Sequence, residues 1–370
     1  MRFRRMPIEI ESPEELGYDT IANNLSESSY SDMRLADHAI DGDVSGLLLQ
    51  YGDHLGLPRL REQIAEPPVG PGNVLVTAGA AAALFVTASA LVQPGDHIVV
   101  LRPNYATNLE TPRAIGADVT HLDLRFEDGW ALDPERLAAA LRPTTKLVSL
   151  TYPHNPTGAT LTRDELDAIV TLIDAHPEAA LLVDETYREL AYDEPLPMVA
   201  ALTPRGISIG SMSKVYGLPG LRMGWIATRD PQRQEVLLAA KEQILLAGAT
   251  IDEEMAARVL EARPRILPVV REKIAAHLEI VRTWMAGQDV FEWVEPRAGV
   301  VGFVRFRDGV DVDVDRFYEA LLGEHGTYVG PGHWFDQDRR SFRLGFAWPQ
   351  TDELERGLAG LLGAAEDARP

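Results

Sequence analysis

Ser211-Met-Ser-Lys-Val-Tyr-Gly-Leu-Pro-Gly-Leu-Arg222-Met-Gly-Trp225 is the stretch that gives the rest of the chain its meaning. It follows the apolar run GISIGS, sets Lys214 among small hydroxyl residues, and carries an arginine eight residues later. A lone loop lysine is ordinarily solvated, so its role depends on what else reaches the same place. Upstream, Ala180 to Val183 reads as an apolar strand ending in Asp184-Glu-Thr-Tyr187. A carboxylate at the C-terminal end of such a strand stands where open α/β sheets bind ligands. Further upstream, KLVSLTY ends in Pro153-His154-Asn155-Pro156-Thr157-Gly158, a turn that presents an asparagine at the same edge.

The surrounding pattern agrees. From about residue 72 to 230, the runs NVLVTAG, HIVVL, DVTHLDL, KLVSLTY, ALLVDE, GISIGS and GWIAT alternate with helical patterns. That alternation predicts a mostly parallel sheet with helices on both faces. One of those helices is well signed. Thr162 and Glu165 form a T-x-x-E capping box, and Leu166, Ile169, Val170 and Ile173 recur at helical spacing before Pro177. Beyond residue 231 the texture changes to long amphipathic patterns, including REKIAAHLEIVRTWMAG. GVVGFVRF, SFRLGFA and VDRFYEALLGEHG then predict a smaller α+β domain. The expected organisation is an N-terminal arm over residues 1–45 joining the small domain, a large domain over 46–250, and a small C-terminal domain over 251–370.

Composition narrows the function classes. With 56 acidic against 35 basic residues the 370-residue chain carries a formal charge of -21, which repels nucleic-acid phosphates and anionic lipid. An anionic ligand therefore needs a local cationic pocket. The absence of cysteine excludes disulfides, thiolate metal sites and a cysteine nucleophile. The most apolar stretch, Ala80 to Val92, is too short to span a bilayer of about 30 Å. With no apolar segment behind the basic start MRFRRMPIEIESPEE, a secretory signal is not expected and a cytoplasmic location is. No metal-ligand spacing or dinucleotide fingerprint occurs.

Taken together, the N-P-T-G turn, the D-x-x-Y after a strand, the S-x-S-K with its arginine, and an arginine on a C-terminal strand resemble the fold-type I pyridoxal phosphate enzymes of the class I/II aminotransferase family, over roughly residues 45 to 350. The resemblance supplies the strand count, a seven-stranded, mainly parallel sheet in the large domain. It implies that Lys214 carries pyridoxal 5'-phosphate as an internal aldimine and serves as base and acid at the substrate α-carbon. Asp184 then pairs with the pyridine nitrogen, while Asn155 and Tyr187 hydrogen-bond the phenolic oxygen of the ring. Thr77-Ala78-Gly79-Ala80-Ala81 opens an alanine-rich helix whose free N–H groups suit a phosphate, with Arg222, Ser211 and Ser213 adding a guanidinium and hydroxyls. Where many relatives carry a hydroxyl near that turn, Gly79, Ala80 and Ala81 offer backbone alone, which shifts weight to Arg222. Tyr105 matches the ring that stacks on the pyridine face, and Tyr51 the tyrosine that reaches the partner's phosphate in a homodimer with sites at the interface. Arg343 lies in the apolar strand SFRLGF, where a substrate carboxylate is the implied partner.

Two segments depart from the family pattern. Asn23-Asn24-Leu25-Ser26-Glu27-Ser28-Ser29-Tyr30 replaces a short glycine-containing strand, and Gly330-Pro-Gly-His333-Trp334-Phe335 is an aromatic cluster on a turn. Trp334 is expected to line the substrate pocket, and His154 and His333 are candidates for a second acid/base. The function implied is transfer of nitrogen from an α-amino acid to a 2-oxo acid. The alternative is elimination, replacement, cyclisation or amino-acid oxidation on a natural-product precursor, as in relatives such as capreomycidine synthase and the pyridoxal-dependent arginine oxidases. A regulator built on an inactive domain of this kind is disfavoured by the intact Lys214. The substrate side chain is not legible.

Overall fold

In the computed structural model, which describes all 370 residues, the seven apolar runs become the strands of one sheet. After a short β1 (Asn23–Asn24), these are β2 (Val74–Thr77), β3 (His97–Arg102), β4 (Asp118–Asp123), β5 (Thr145–Thr151), β6 (Ala180–Asp184), β7 (Gly206–Ser211) and β8 (Gly224–Ala227). Their order is β2-β8-β7-β6-β5-β3-β4, with β8 antiparallel to both neighbours and every other pair parallel. Strands β2, β5, β6 and β7 lack an exposed residue, and such continuous apolar runs mark strands covered on both faces. The helix Arg163–Asp174 starts at the expected box: Thr162 Oγ1 accepts from the Glu165 N–H, and Glu165 Oε2 accepts from the Thr162 N–H. Its buried face is the set Leu166, Ile169, Val170 and Ile173.

This topology gathers the residues singled out above. Parallel strands end on one edge, so the segments after Thr77, Arg102, Thr151, Asp184 and Ser211 emerge together. Because β8 runs the other way, Arg222, just before its start, reaches that edge too.

The C-terminal third builds a second, antiparallel sheet from β9 (Phe291–Trp293), β10 (Val301–Phe306), β12 (Gly330–Pro331) and β13 (Ser341–Gly345), ordered β12-β13-β10-β9. The rings of Phe291, Phe306, Phe317 and Phe342 pack together in its core. Burying each such side chain stabilises the fold by about 1.5–3 kcal/mol. The REKIAAHLEIVRTWMAG pattern lies within one helix, Arg263–Ala286, packed against this sheet.

The first 45 residues are more ordered than their polar composition suggests. Pro7–Glu11 and Pro13–Leu16 are short helices, each opened by a proline whose fixed φ suits the first helical position. β1 pairs in parallel with β11 (Thr327–Tyr328). Beyond β1 the arm lies against β13: the Gly345 N–H donates to Leu25 O, and a Cβ at Gly345 would stand 1.8 Å from Glu27 O. Glycine is the one residue that admits this approach, which draws the arm across the strand carrying Arg343.

Candidate active site

Three ionisable side chains converge below the sheet edge, with no salt bridge to satisfy any of them. Asp184, at the end of β6, is 7% exposed. Its Oδ1 accepts from Thr186 N and Thr186 Oγ1, which closes a local turn and leaves Oδ2 without a protein partner. Burial raises its carboxyl above the usual range, while the neighbouring Lys214 opposes that shift. Lys214 is half-buried as a residue, with its amine deep in the protein. That burial pushes the amine below the usual lysine range; Arg343 reinforces the effect and Glu27 opposes it. Its one side-chain hydrogen bond is donated by Nζ to Ser28 Oγ at 3.0 Å.

Arg343 is 4% exposed and carries no carboxylate partner. Nη1 donates to Asn155 Oδ1 at 3.0 Å and Nη2 to Ser26 O at 2.6 Å, while Nε is buried with no acceptor. A guanidinium enclosed on neutral acceptors alone calls for an anion. Tyr187 is buried and donates to Ser28 O at 2.8 Å, and burial pushes its hydroxyl up to about 12. Tyr105 sits within electrostatic reach of both Arg343 and Arg222.

At the far end, Gly79 opens the helix Gly79–Leu91 with φ +81. A Cβ there would lie 2.7 Å from Arg222 Nη2, so the guanidinium rests directly over the helix start. Arg222 adopts the left-handed conformation at φ 51, rare for a non-glycine residue, and its only hydrogen bond is to Pro219 O. Ser211 and Ser213 share a hydrogen bond at 3.1 Å beside it. An unpaired guanidinium, a helix N-terminus and two hydroxyls make a cradle for a phosphate. The free oxygen of Asp184 suits a pyridinium, and the enclosed amine of Lys214 suits a carbonyl carbon. These residues fit pyridoxal phosphate.

Several expectations require correction or refinement. Trp334 is not a pocket wall but a core residue: it is 1% exposed, packs in a core cluster with Phe303 and Phe335, and donates its indole N–H to Glu11. The ring over which the Arg343 guanidinium sits is that of Phe335, at 4.9 Å. His154 is saturated by Thr157 Oγ1 and Pro103 O at 2.8 and 2.9 Å, and burial lowers it to about 4, so it ties the turn together and has no free nitrogen for proton transfer. His333 pairs with Glu11 at 2.7 Å, which clasps the N-terminal helix to the small domain. Tyr51 is 83% exposed and touches none of these groups within one chain.

The arm supplies what sequence reading passed over. Ser26, Glu27 and Ser28 all reach the site, and Glu27 is held at its mouth by a hydrogen bond from Tyr18 at 3.0 Å. The signal available was the polar run SESS, Ser26 to Ser29, in an arm otherwise read as a connection.

The family model for aminotransferase class I and II matches residues 21–361. Capreomycidine synthase of Streptomyces vinaceus is 34% identical over 349 residues, covering 93% of this chain and 88% of that protein. Arginine–pyruvate transaminase of Pseudomonas aeruginosa is 30% identical over 308 residues, covering 80% and 77%. A crystal structure of a pyridoxal phosphate-dependent cyclase superposes with a TM-score of 0.88 at 29% identity, covering 99% of this chain and 98% of the other. The chain belongs to the class I and II aminotransferases, and its cofactor is pyridoxal phosphate.

The depressed His154 makes a pH-dependent stability difference that can be measured. Below pH 6.5 the unfolded chain takes up a proton that the folded one refuses until about pH 4, so the folded state loses on the order of 3 kcal/mol as pH falls through that window. Denaturant titrations from pH 7 to 4 should show a shallower loss in His154→Asn than in the natural protein; parallel curves would mean that His154 is not held neutral.

Proposed function

We propose that this member of the aminotransferase class I and II family holds its pyridoxal phosphate on Lys214 and moves nitrogen from an α-amino acid with a cationic side chain to a 2-oxo acid. The observation that carries this reading is the convergence of Lys214, Asp184 and Arg343 within electrostatic reach of one another, none of them with an ion-pair partner. When bound, the cofactor supplies an electron sink that makes the α-C–H bond of an amino acid acidic. Asp184 keeps negative charge at the ring-nitrogen end, Arg222 and the Gly79 helix start hold the phosphate end, and Arg343 takes the substrate carboxylate through the donors that its neutral partners leave free. Lys214, its amine already biased toward the neutral form by burial, accepts and returns the α-proton.

The side-chain class follows from the mouth of the site. Glu14, Glu27 and Asp32 all act on the charge of Lys214 from the arm, and none is paired with an arginine or lysine. Burial raises the Glu27 carboxyl above the usual range, as expected of a carboxylate awaiting a cation. The Tyr18 ring, stacked on Trp348 at 6.2 Å, adds an aromatic face. The similarity to an arginine–pyruvate transaminase supports the same class. Cyclisation, elimination, replacement or oxidation by the same residues is the second reading, favoured by the likeness to capreomycidine synthase and to a cyclase.

Assembly as a homodimer completes the proposal. Leu48, Leu49 and Tyr51 are 72%, 67% and 83% exposed, and Thr250 Oγ1 bonds Gln50 O, which brings the exposed Ile244, Leu246 and Ile251 toward them. Exposed apolar side chains grouped by this contact suit a second copy whose Tyr51 reaches the cofactor phosphate of the first.

Lys214→Ala should lose both the long-wavelength absorbance of the bound cofactor and all turnover while remaining folded; a variant that keeps either disproves the assignment. In the natural enzyme, stoichiometric formation of a new amino acid from an added 2-oxo acid marks transamination, whereas release of ammonia or peroxide marks the second reading. Glu27→Gln should narrow the preference for arginine over citrulline, equal in length but uncharged, by about 10- to 100-fold, the worth of a charged hydrogen bond; an unchanged ratio of kcat/KM values removes Glu27 from side-chain recognition. Light scattering should give a dimer, with Tyr51→Phe weakening cofactor retention. A fully active monomer contradicts the interface.

A further inference from the structure

We propose that Ser28 is a positioning residue for the reaction: its hydroxyl holds the Lys214 amine whenever that nitrogen is free and so directs its lone pair at the α-carbon. The proposal rests on the reading of Lys214 given above and adds to it a residue on the segment where this chain departs from its family.

The geometry is specific. Ser28 is 5% exposed and lies 186 residues from Lys214 in the chain, yet its Oγ is the one side-chain acceptor for Nζ, at 3.0 Å. Three further bonds fix the segment around it. The Ser28 carbonyl accepts from Tyr187, the Tyr30 N–H donates to Lys214 O at 2.9 Å, and the Ser26 carbonyl accepts from Arg343. Ser28 Oγ is thus positioned against the same framework that positions the lysine backbone and the arginine expected to hold the substrate. A long, flexible lysine side chain has many rotamers to lose, and a fixed acceptor removes most of that freedom before the reaction begins.

The chemistry follows from what a hydroxyl offers. While Lys214 is a neutral amine, one N–H is donated to Ser28 Oγ and the lone pair faces elsewhere. On proton abstraction the α-C–H bond breaks, its electron pair stays with the substrate carbon, and a new N–H bond forms on Lys214. The resulting ammonium keeps the same bond to Ser28, now strengthened by charge. The proton returns by the reverse path, with no change in oxidation state at the serine. A carboxylate in this place would hold the ammonium too tightly to release the proton, and a glycine would leave the amine unguided. The groups facing Lys214 from other elements are Glu27, Glu14 and Asp32 on the arm, Arg343 on β13 and Asp184 on β6; Ser28 alters the balance they set without adding charge.

The test uses Ser28→Ala and Ser28→Thr. In cofactor-free protein, the pH dependence of pyridoxal phosphate uptake, followed by absorbance, reports the protonation of Lys214 without any turnover. Because a hydroxyl acceptor favours the ammonium over the amine, Ser28→Ala should take up cofactor at a pH lower by about half a unit or more. In the reconstituted enzyme its kcat should fall about 10-fold or more while KM for the amino acid changes little, since proton transfer and not binding is impaired. Ser28→Thr, which keeps the hydroxyl, should restore both. An uptake profile and kcat unchanged in Ser28→Ala, or a threonine variant as impaired as the alanine one, overturns the proposal. Those results would leave the Lys214 assignment standing, whereas covalent attachment of cofactor to Lys214→Ala would remove both.

Discussion

Burying Lys214, Asp184 and Arg343 close together without a salt bridge to relieve any of them is the constraint on which the rest of the structure depends. A buried charge with no opposite partner costs several kcal/mol, so a fold that buries three ionisable groups must bias them toward their neutral forms or give each neutral hydrogen bonding. Asp184 spends one oxygen on the Thr186 turn, Arg343 rests on Asn155 and a carbonyl, and Lys214 rests on a hydroxyl. None of these partners neutralises charge. In the proposed function the remaining electrostatic demand is met from outside the chain, by a phosphorylated, protonatable cofactor and a zwitterionic substrate.

The arm from Asn23 to Tyr30 makes this arrangement possible. It is a connecting segment by composition, yet it threads between the two sheets and touches the lysine, the arginine and the tyrosine of the site in turn. Its own carboxylate, Glu27, then faces the cavity and tilts the field toward cations in a chain that is already at -21 overall. The two arginines of the site stand where the proposal puts anions: Arg222 over the helix start for a phosphate, Arg343 over the Phe335 ring for a carboxylate. Long-range repulsion of anions is thereby reconciled with their capture, because a guanidinium in an enclosed site acts over a few ångströms, inside the screening length of about 8 Å.

Much of this was legible from the sequence, for identifiable reasons. Strands covered on both faces must be continuous apolar runs, and the inner strands announced themselves that way, whereas the edge strand β4, with its polar Asp118, Thr120 and His121, was placed by the alternation of strand and helix patterns. The ends of parallel strands share an edge, so Asp184, Asn155, Tyr105 and Lys214 could be placed together before any coordinates. Arg343 stood out because an arginine inside an apolar strand is costly, and it is found buried with no carboxylate partner. Trp334 was misjudged because a tryptophan beside glycines on a turn fits a pocket wall as well as a buried plug, and only packing against Phe303 and Phe335 decides between them. The contributions of Ser28 and Glu27 were hidden for a different reason. They depend on an arm placed by one close approach at Gly345 and a two-residue strand pairing, long-range contacts that leave no local periodicity.

The chain contains only four lysines, Lys146, Lys214, Lys241 and Lys273, which makes the central claim directly measurable. Lys146 is paired with Glu178, Lys241 donates to His54 O, and Lys273 lies over the Tyr30 ring. Borohydride reduction of the cofactor-loaded protein followed by peptide mass mapping fixes the cofactor to the lysine that carries it. The account predicts a single phosphopyridoxyl mass, on the peptide containing Lys214; the label on any of the other three, or on none, would contradict it.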